Sequence, residues 1–119
     1  MRRYDFSNGK TSILDAYKTE RDAGNYNAVM KKYRDPATKY AFQILEGDVL
    51  SSRQMKLDAF RHLQDLRRQT EDSDFNYRYD LEKAQLICNF AALCPNPDSG
   101  KPTPLDIWQL AILCKIVGW

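Results

Sequence analysis

The residues best equipped for chemistry are one histidine, His62, three cysteines and a few clustered carboxylates. Asp58 precedes His62 by four residues and Asp65 follows it by three, spacings that share one helical face. Such a face could hold an acid–base pair or half of a metal site. A metal centre needs a second His or a suitably spaced Cys, and neither lies near. The expected state of His62 is therefore a solvated, salt-bridged side chain, with no metal site. Cys88 and Cys94 are six apart and Cys114 lies well beyond, so no CxxC pair exists. Each cysteine is expected to serve as a small buried hydrophobe. Asp72 and Asp74 lie in a polar stretch without the burial that shifts a carboxylate for catalysis. No catalytic residue emerges.

Phosphate chemistry is equally bare. The pattern GxxxxGK[ST] is absent, and Ser99-Gly100-Lys101-Pro102-Thr103 imitates only its tail. Pro102 removes an N–H where a phosphate cradle needs one, so this stretch reads as a turn. Charge is more informative in its placement than in its total. Lys and Arg number 18 against 16 Asp and Glu, a net +2, which excludes a polybasic arm or an acidic tail as the whole chain's identity. Residues 1–40 carry nine bases against five acids, a net +4, while residues 41–80 carry −2. Lys31, Lys32, Arg34 and Lys39 sit among Tyr26, Tyr33 and Tyr40, a mixture able to touch a phosphate backbone. A basic solvated surface is the alternative for the same residues.

The elements that must position these groups are helices. At 119 residues and 43% hydrophobic, the chain is sized for a single domain with a real core. The pattern predicts an all-α fold, a compact bundle of about five helices spanning 1–119. The first covers residues 12–23, with Gly24 as its stop. A short turn follows, helical over 28–33. Asp35-Pro36 caps and opens the second main helix, which Gly47 ends. The third starts at a Ser51–Gln54 capping box and carries Met55, Ala59, His62, Leu63 and Leu66 on one face up to Arg68. Residues 69–78 read as an exposed loop, in which Phe75, Tyr77 and Tyr79 alternate as in a short extended edge. Asp80 caps a fourth helix, 81–93. Residues 94–104 are dense in Pro and Gly and form a loop, and Thr103-Pro104 starts the last helix. Leu105, Trp108, Ile112 and Ile116 share one side of that helix. A helix this apolar either packs on its own domain or leaves a patch for something else.

No apolar run reaches the ~20 residues of a membrane helix, and Met1-Arg-Arg-Tyr-Asp-Phe lacks the apolar core of a signal peptide. A cytoplasmic setting without membrane contact is expected.

One resemblance goes further. Ala41-Phe-Gln-Ile-Leu-Glu-Gly-Asp-Val-Leu50 is similar to the "Ala…Val-Val-x-Gly-x-Ile" segment near the start of phage terminase large subunits. Arg61-His-Leu-Gln-Asp-Leu66 resembles that family's "Arg-His-Leu-x-Asp-Leu" helix, and Phe75-Asn-Tyr-Arg-Tyr-Asp80 its "Phe-x-Tyr-Asp" start. Asn89-Phe90-Ala-Ala-Leu93, Leu105-Asp-Ile-Trp-Gln-Leu110 and Gly118-Trp119 follow in the same order, so the likeness covers residues 38–119. It implies the helical N-terminal region of a DNA-packaging motor from a phage-infected bacterial cell. By the same resemblance Gln109 would contact adenine, with Trp108 packed nearby, Trp108 otherwise being a core anchor. The family's Walker A, Walker B and nuclease elements are absent from these 119 residues. The expectation is thus a non-catalytic binding module without a cofactor, acting on packaging components. The alternatives are a phage anti-defence protein, such as an anti-CRISPR acting on a host nuclease, and a small DNA-binding domain.

Overall fold

A computed structural model describes residues 4–7, 9, 12–93 and 106–119. Those residues form six helices and no strand: α1 (Ile13–Asp22), α2 (Asn27–Lys32), α3 (Pro36–Glu46), α4 (Arg53–Glu71), α5 (Leu81–Leu93) and α6 (Ile107–Gly118). The fold is all-α, as the periodicity predicts.

Local chemistry sets most of the boundaries. The Ser12 hydroxyl accepts from the Asp15 N–H and starts α1. Asp35 does the same for Thr38 at the head of α3, where Pro36 occupies the first turn. Gly47 ends α3 with a φ of +84°, a left-handed conformation that a side chain disfavours. The cap of α4 is Ser52, whose hydroxyl accepts from Met55 N–H, one residue later than the capping box expected at Ser51. That helix also runs to Glu71 rather than stopping at Arg68. Arg67 and Glu71, four apart, form an ion pair at 3.1 Å that holds the extra turn. Asp80 caps α5 through the Lys83 N–H. Asp106 precedes α6; the loop expected over residues 94–104, with Cys94, and the helix start expected at Thr103-Pro104 lie outside the described residues.

α4 is the spine: α3 packs on it most extensively, and α1 and α2 lie against it as well. α6 crosses onto α3, and α5 packs chiefly on α6. The core runs through Tyr17, Tyr26, Leu45, Leu63, Leu66 and Cys114, all essentially without solvent contact. It contains polar groups that are matched to one another. Arg67 donates to Glu20 (2.9 Å) and to Gln64 (3.0 Å), and the Tyr26 hydroxyl donates to the same Gln64 oxygen (2.9 Å). Tyr4 and Asn25 supply further hydrogen bonds to Glu20. Burial alone would raise the pKa of Glu20, but these donors and the Arg67 charge outweigh it and hold the carboxyl below its usual range.

Candidate functional site

The apolar surfaces that could act on something outside the chain depend on how the end of α6 is anchored. His62, on α4, faces inward and is only 2% exposed. The solvated, salt-bridged state expected for it is not what the structure shows. Asp58 instead pairs with Lys115 of α6, and Asp65 lies between Arg61 and Arg68 at 3.6 Å from each. Helical phase explains the difference: His62 shares the inner face with Ala59, Leu63 and Leu66, whereas both carboxylates lie farther around the helix.

A directed chain of hydrogen bonds runs through His62. The Trp119 indole N–H donates to Nδ1 (3.1 Å), so Nε2 carries the proton and donates to Thr38 Oγ1 (3.0 Å). The Thr38 hydroxyl donates to Asp35 Oδ1 (2.8 Å), and the Tyr79 hydroxyl donates to Asp35 Oδ2 (2.5 Å). Burial, with Lys115 adding to it against the pull of Asp35 and Asp58, pushes the His62 pKa down to about 4. The imidazole is neutral at pH 7. Burial and then the hydrogen bond to Asp35 raise the Tyr79 pKa. Thr38 and Asp35 have no solvent contact, so this array serves as a buried lock on the end of α6.

Gly118 belongs to the lock. A side-chain carbon there would land inside the Tyr79 ring, and the Gly118 carbonyl accepts from Asp80 N–H (2.8 Å). Trp119 stacks obliquely on Tyr79 with ring centres 5.0 Å apart and meets His62 edge-on. The alternating aromatics form no strand edge; Tyr79 is buried, while Tyr77 stays exposed and Phe75 contacts Trp119.

With its end fixed, α6 turns Ala111, Cys114 and Gly118 inward. Trp108, Ile112 and Ile116 point the other way and are exposed, Ile116 by 71%. Trp108 is thus not the core anchor anticipated for it: at 47% exposed it forms one wall of a 370 Å³ groove. The groove floor is Ala37, Ala41 and Ile44 of α3 with Met55 and Ala59 of α4, and the Asp58–Lys115 pair closes one side. Small side chains at four of these positions, Ala111 included, leave the space. Along the other flank of α6, Val117 shares a shallower hollow with Leu86, Ile87 and Phe90 of α5, and Lys83 stands at its edge. Between the helices the Cys88 and Cys114 sulfurs lie 2.8 Å apart as free thiols, and burial together with the Cys88 contact pushes the Cys114 pKa up to about 12. Both behave as the buried hydrophobes expected.

Gln109 uses its side-chain oxygen to accept from the Asp106 N–H (2.9 Å), which places it at the head of α6 as a cap beside Trp108. Among the basic residues, Arg34 and Lys39 line one groove of 450 Å³ with Tyr17, Tyr33 and Phe42. Lys31 and Lys32 end α2 on the exposed side, Lys32 lying over the Tyr33 ring. Among the described residues no cluster of three metal-ligating side chains exists, and no helix is long and apolar enough to cross a membrane.

Comparison with protein-family models, curated proteins and solved structures finds no match for this chain. Sequence reasoning missed the Asp35–Thr38–His62–Trp119 lock, whose local Asp35–Thr38 pair is joined to His62 and Trp119 from distant parts of the chain. The one available signal was an apolar flank around His62.

Proposed function

We propose that this chain is a non-catalytic helical binding module that works through protein contact, with the outer face of α6 and the adjoining edge of α5 as its working surface. The observation that carries this reading is α6 itself. It is apolar almost all round yet buried on one side only, with Trp108, Ile112 and Ile116 exposed in register. A helix apolar on every face belongs inside a larger body. The buried lock at its C-terminal end fixes the angle at which that face is offered.

The setting follows the terminase resemblance: the partner is the ATPase body of a phage DNA-packaging motor. Segments that carry the resemblance meet in space, which supports treating them as one unit. His62, Phe75 and Trp119 line a single cleft beside Arg61 and Asp65, and Tyr79 packs against both His62 and Trp119. The test is calorimetric titration with a terminase ATPase fragment supplied in trans. Binding should be lost in an Ile112→Asp, Ile116→Asp variant of unchanged helicity. Equal binding by the variant would remove this face from the account.

A DNA-contacting role is the second reading, favoured by Arg34 and Lys39 lining one groove with Tyr33 and Phe42. Arg34→Ala with Lys39→Ala should weaken DNA binding and reduce the salt slope by about 2. An unchanged slope would sink it.

A further inference from the structure

We infer that the outer face of α6 also closes on a second copy of this chain, as a two-fold dimer whose α6 helices run antiparallel about Ile112. This rests on the reading of that face as a docking surface and names an occupant for it. Residues 108, 112 and 116 recur at helical spacing and make one ridge. One flank of the ridge drops into the groove floored by α3 and α4; the other passes through Val117 to Leu86 and Phe90 of α5. The apolar surface is therefore continuous across both helices.

Three properties of this surface fit a copy of itself. The first is area. The exposed parts of Trp108, Ile112, Ile116, Val117, Leu86 and Phe90 add to roughly 600–700 Å², above the largest patch usual on a monomer and close to one side of a standard interface. The second is shape. A two-fold interface needs a projection and a recess within the same patch, and here a ridge borders a groove. With the axis at Ile112, Ile116 of one copy lies opposite Trp108 of the other, at the groove mouth. The third is charge. Lys115 is the sole charged residue of α6 and is already bound to Asp58, so the ridge offers nothing to an acidic or basic partner. A net charge of +2 leaves little repulsion between copies.

Sedimentation equilibrium over low to high micromolar concentration tests this directly. The chain should approach twice its 13.9 kDa mass. Ile112→Asp puts two carboxylates at the axis and should weaken association by roughly a hundredfold or more, with the circular dichroism unchanged. Leu50→Asp, at a fully exposed position off this face, should leave the dimer intact. An Ile112→Cys variant in a Cys94→Ser background should form a covalent dimer on mild oxidation, because that residue meets its own mate. A monomer at every concentration, or a dimer indifferent to Ile112→Asp, would overturn the inference. The two occupants are separable. A monomeric chain whose binding to the ATPase fragment still depends on Ile112 and Ile116 eliminates the second copy alone. A dimer broken by Ile112→Asp, with no binding to that fragment, upholds the second copy and eliminates the motor.

Discussion

The body formed by α1 to α4 and the hairpin of α5 and α6 solve opposite problems with similar materials. In the body, Tyr17, Tyr26, Glu20, Gln64 and Arg67 are buried, and each finds partners inside the chain. In the hairpin, Leu86, Phe90, Ile112 and Ile116 are apolar and face out. The body pairs most of the polarity it buries, the Arg67 Nε and Ser51 Oγ being left without a hydrogen bond, and the hairpin exposes apolar surface. That contrast separates the part of the molecule held by internal pairing from the part that presents apolar side chains to solvent. Buried charge pairs are costly to assemble and costlier to break, so they fix one arrangement of the helices around α4. An exposed apolar ridge adds nothing to the stability of the isolated chain and gains only by being covered.

The largest effect should come from breaking the body's pairing. Glu20→Ala leaves the Arg67 guanidinium buried without its main partner, and should cost about 3–5 kcal/mol in urea unfolding. Replacing Glu20 and Arg67 together with apolar residues of similar volume should cost far less, since no charge is stranded. Comparable losses in both would show that the pair is ordinary packing.

Acid should follow closely. His62 is held neutral with a pKa of about 4, whereas in the unfolded chain it titrates near 6.5. Between those values the unfolded state binds more protons, so stability falls as pH drops from 6.5 towards 4, by about 3 kcal/mol in all. The lowered pKa of Glu20 and Glu46 acts in the same direction: their contribution is full above about 4.5 and is lost as pH falls through their folded values. Thermal melts at pH 7 and 5 would read this, and a His62→Phe variant should lose the portion between 6.5 and 4. A flat profile there would contradict the neutral lock.

Gly118→Ala tests the seam between the two regions. The added methyl collides with Tyr79 and should cost about 1–3 kcal/mol, with Trp119 fluorescence shifting as the lock loosens. The smallest effect belongs to the hairpin face. Ile116→Asp should change the unfolding free energy by no more than about 0.5 kcal/mol while reducing association, because its side chain is already in water. A large loss of stability would mean that the ridge is part of the core.

Much of this was legible in the sequence where the cause is local. Ser12, the Asp35-Pro36 pair, Gly47 and Asp80 act on neighbours within a few residues, and the helices they bound lie where periodicity puts them. Ser52 replaced Ser51 as a cap because either hydroxyl could reach an N–H three residues on, and only tertiary packing chooses between them. His62 was misassigned for a deeper reason. Its flanking acids suggested solvent, but its real partners come from α3 and from the last residue, at separations of 24 and 57 positions. The expectation of Trp108 as a core anchor fails for the same reason. The apolar stripe of α6 was plain, yet which side of that helix would meet α3 depended on Ala111 and Cys114 being small enough to let the helices approach.

The most direct measurement uses the fact that the chain has only two tryptophans. Trp108 is half-exposed while Trp119 is packed on Tyr79 and His62, so in the unaltered chain the acrylamide-quenchable emission reports chiefly on the α6 face. At a dilution where the chain is monomeric, saturating it with the terminase ATPase fragment should shift its emission to the blue and reduce acrylamide quenching, since Trp108 passes from half-exposed to covered. A fragment that binds and leaves Trp108 as accessible as before, or that does not bind at all, would contradict the proposal that this face meets the motor.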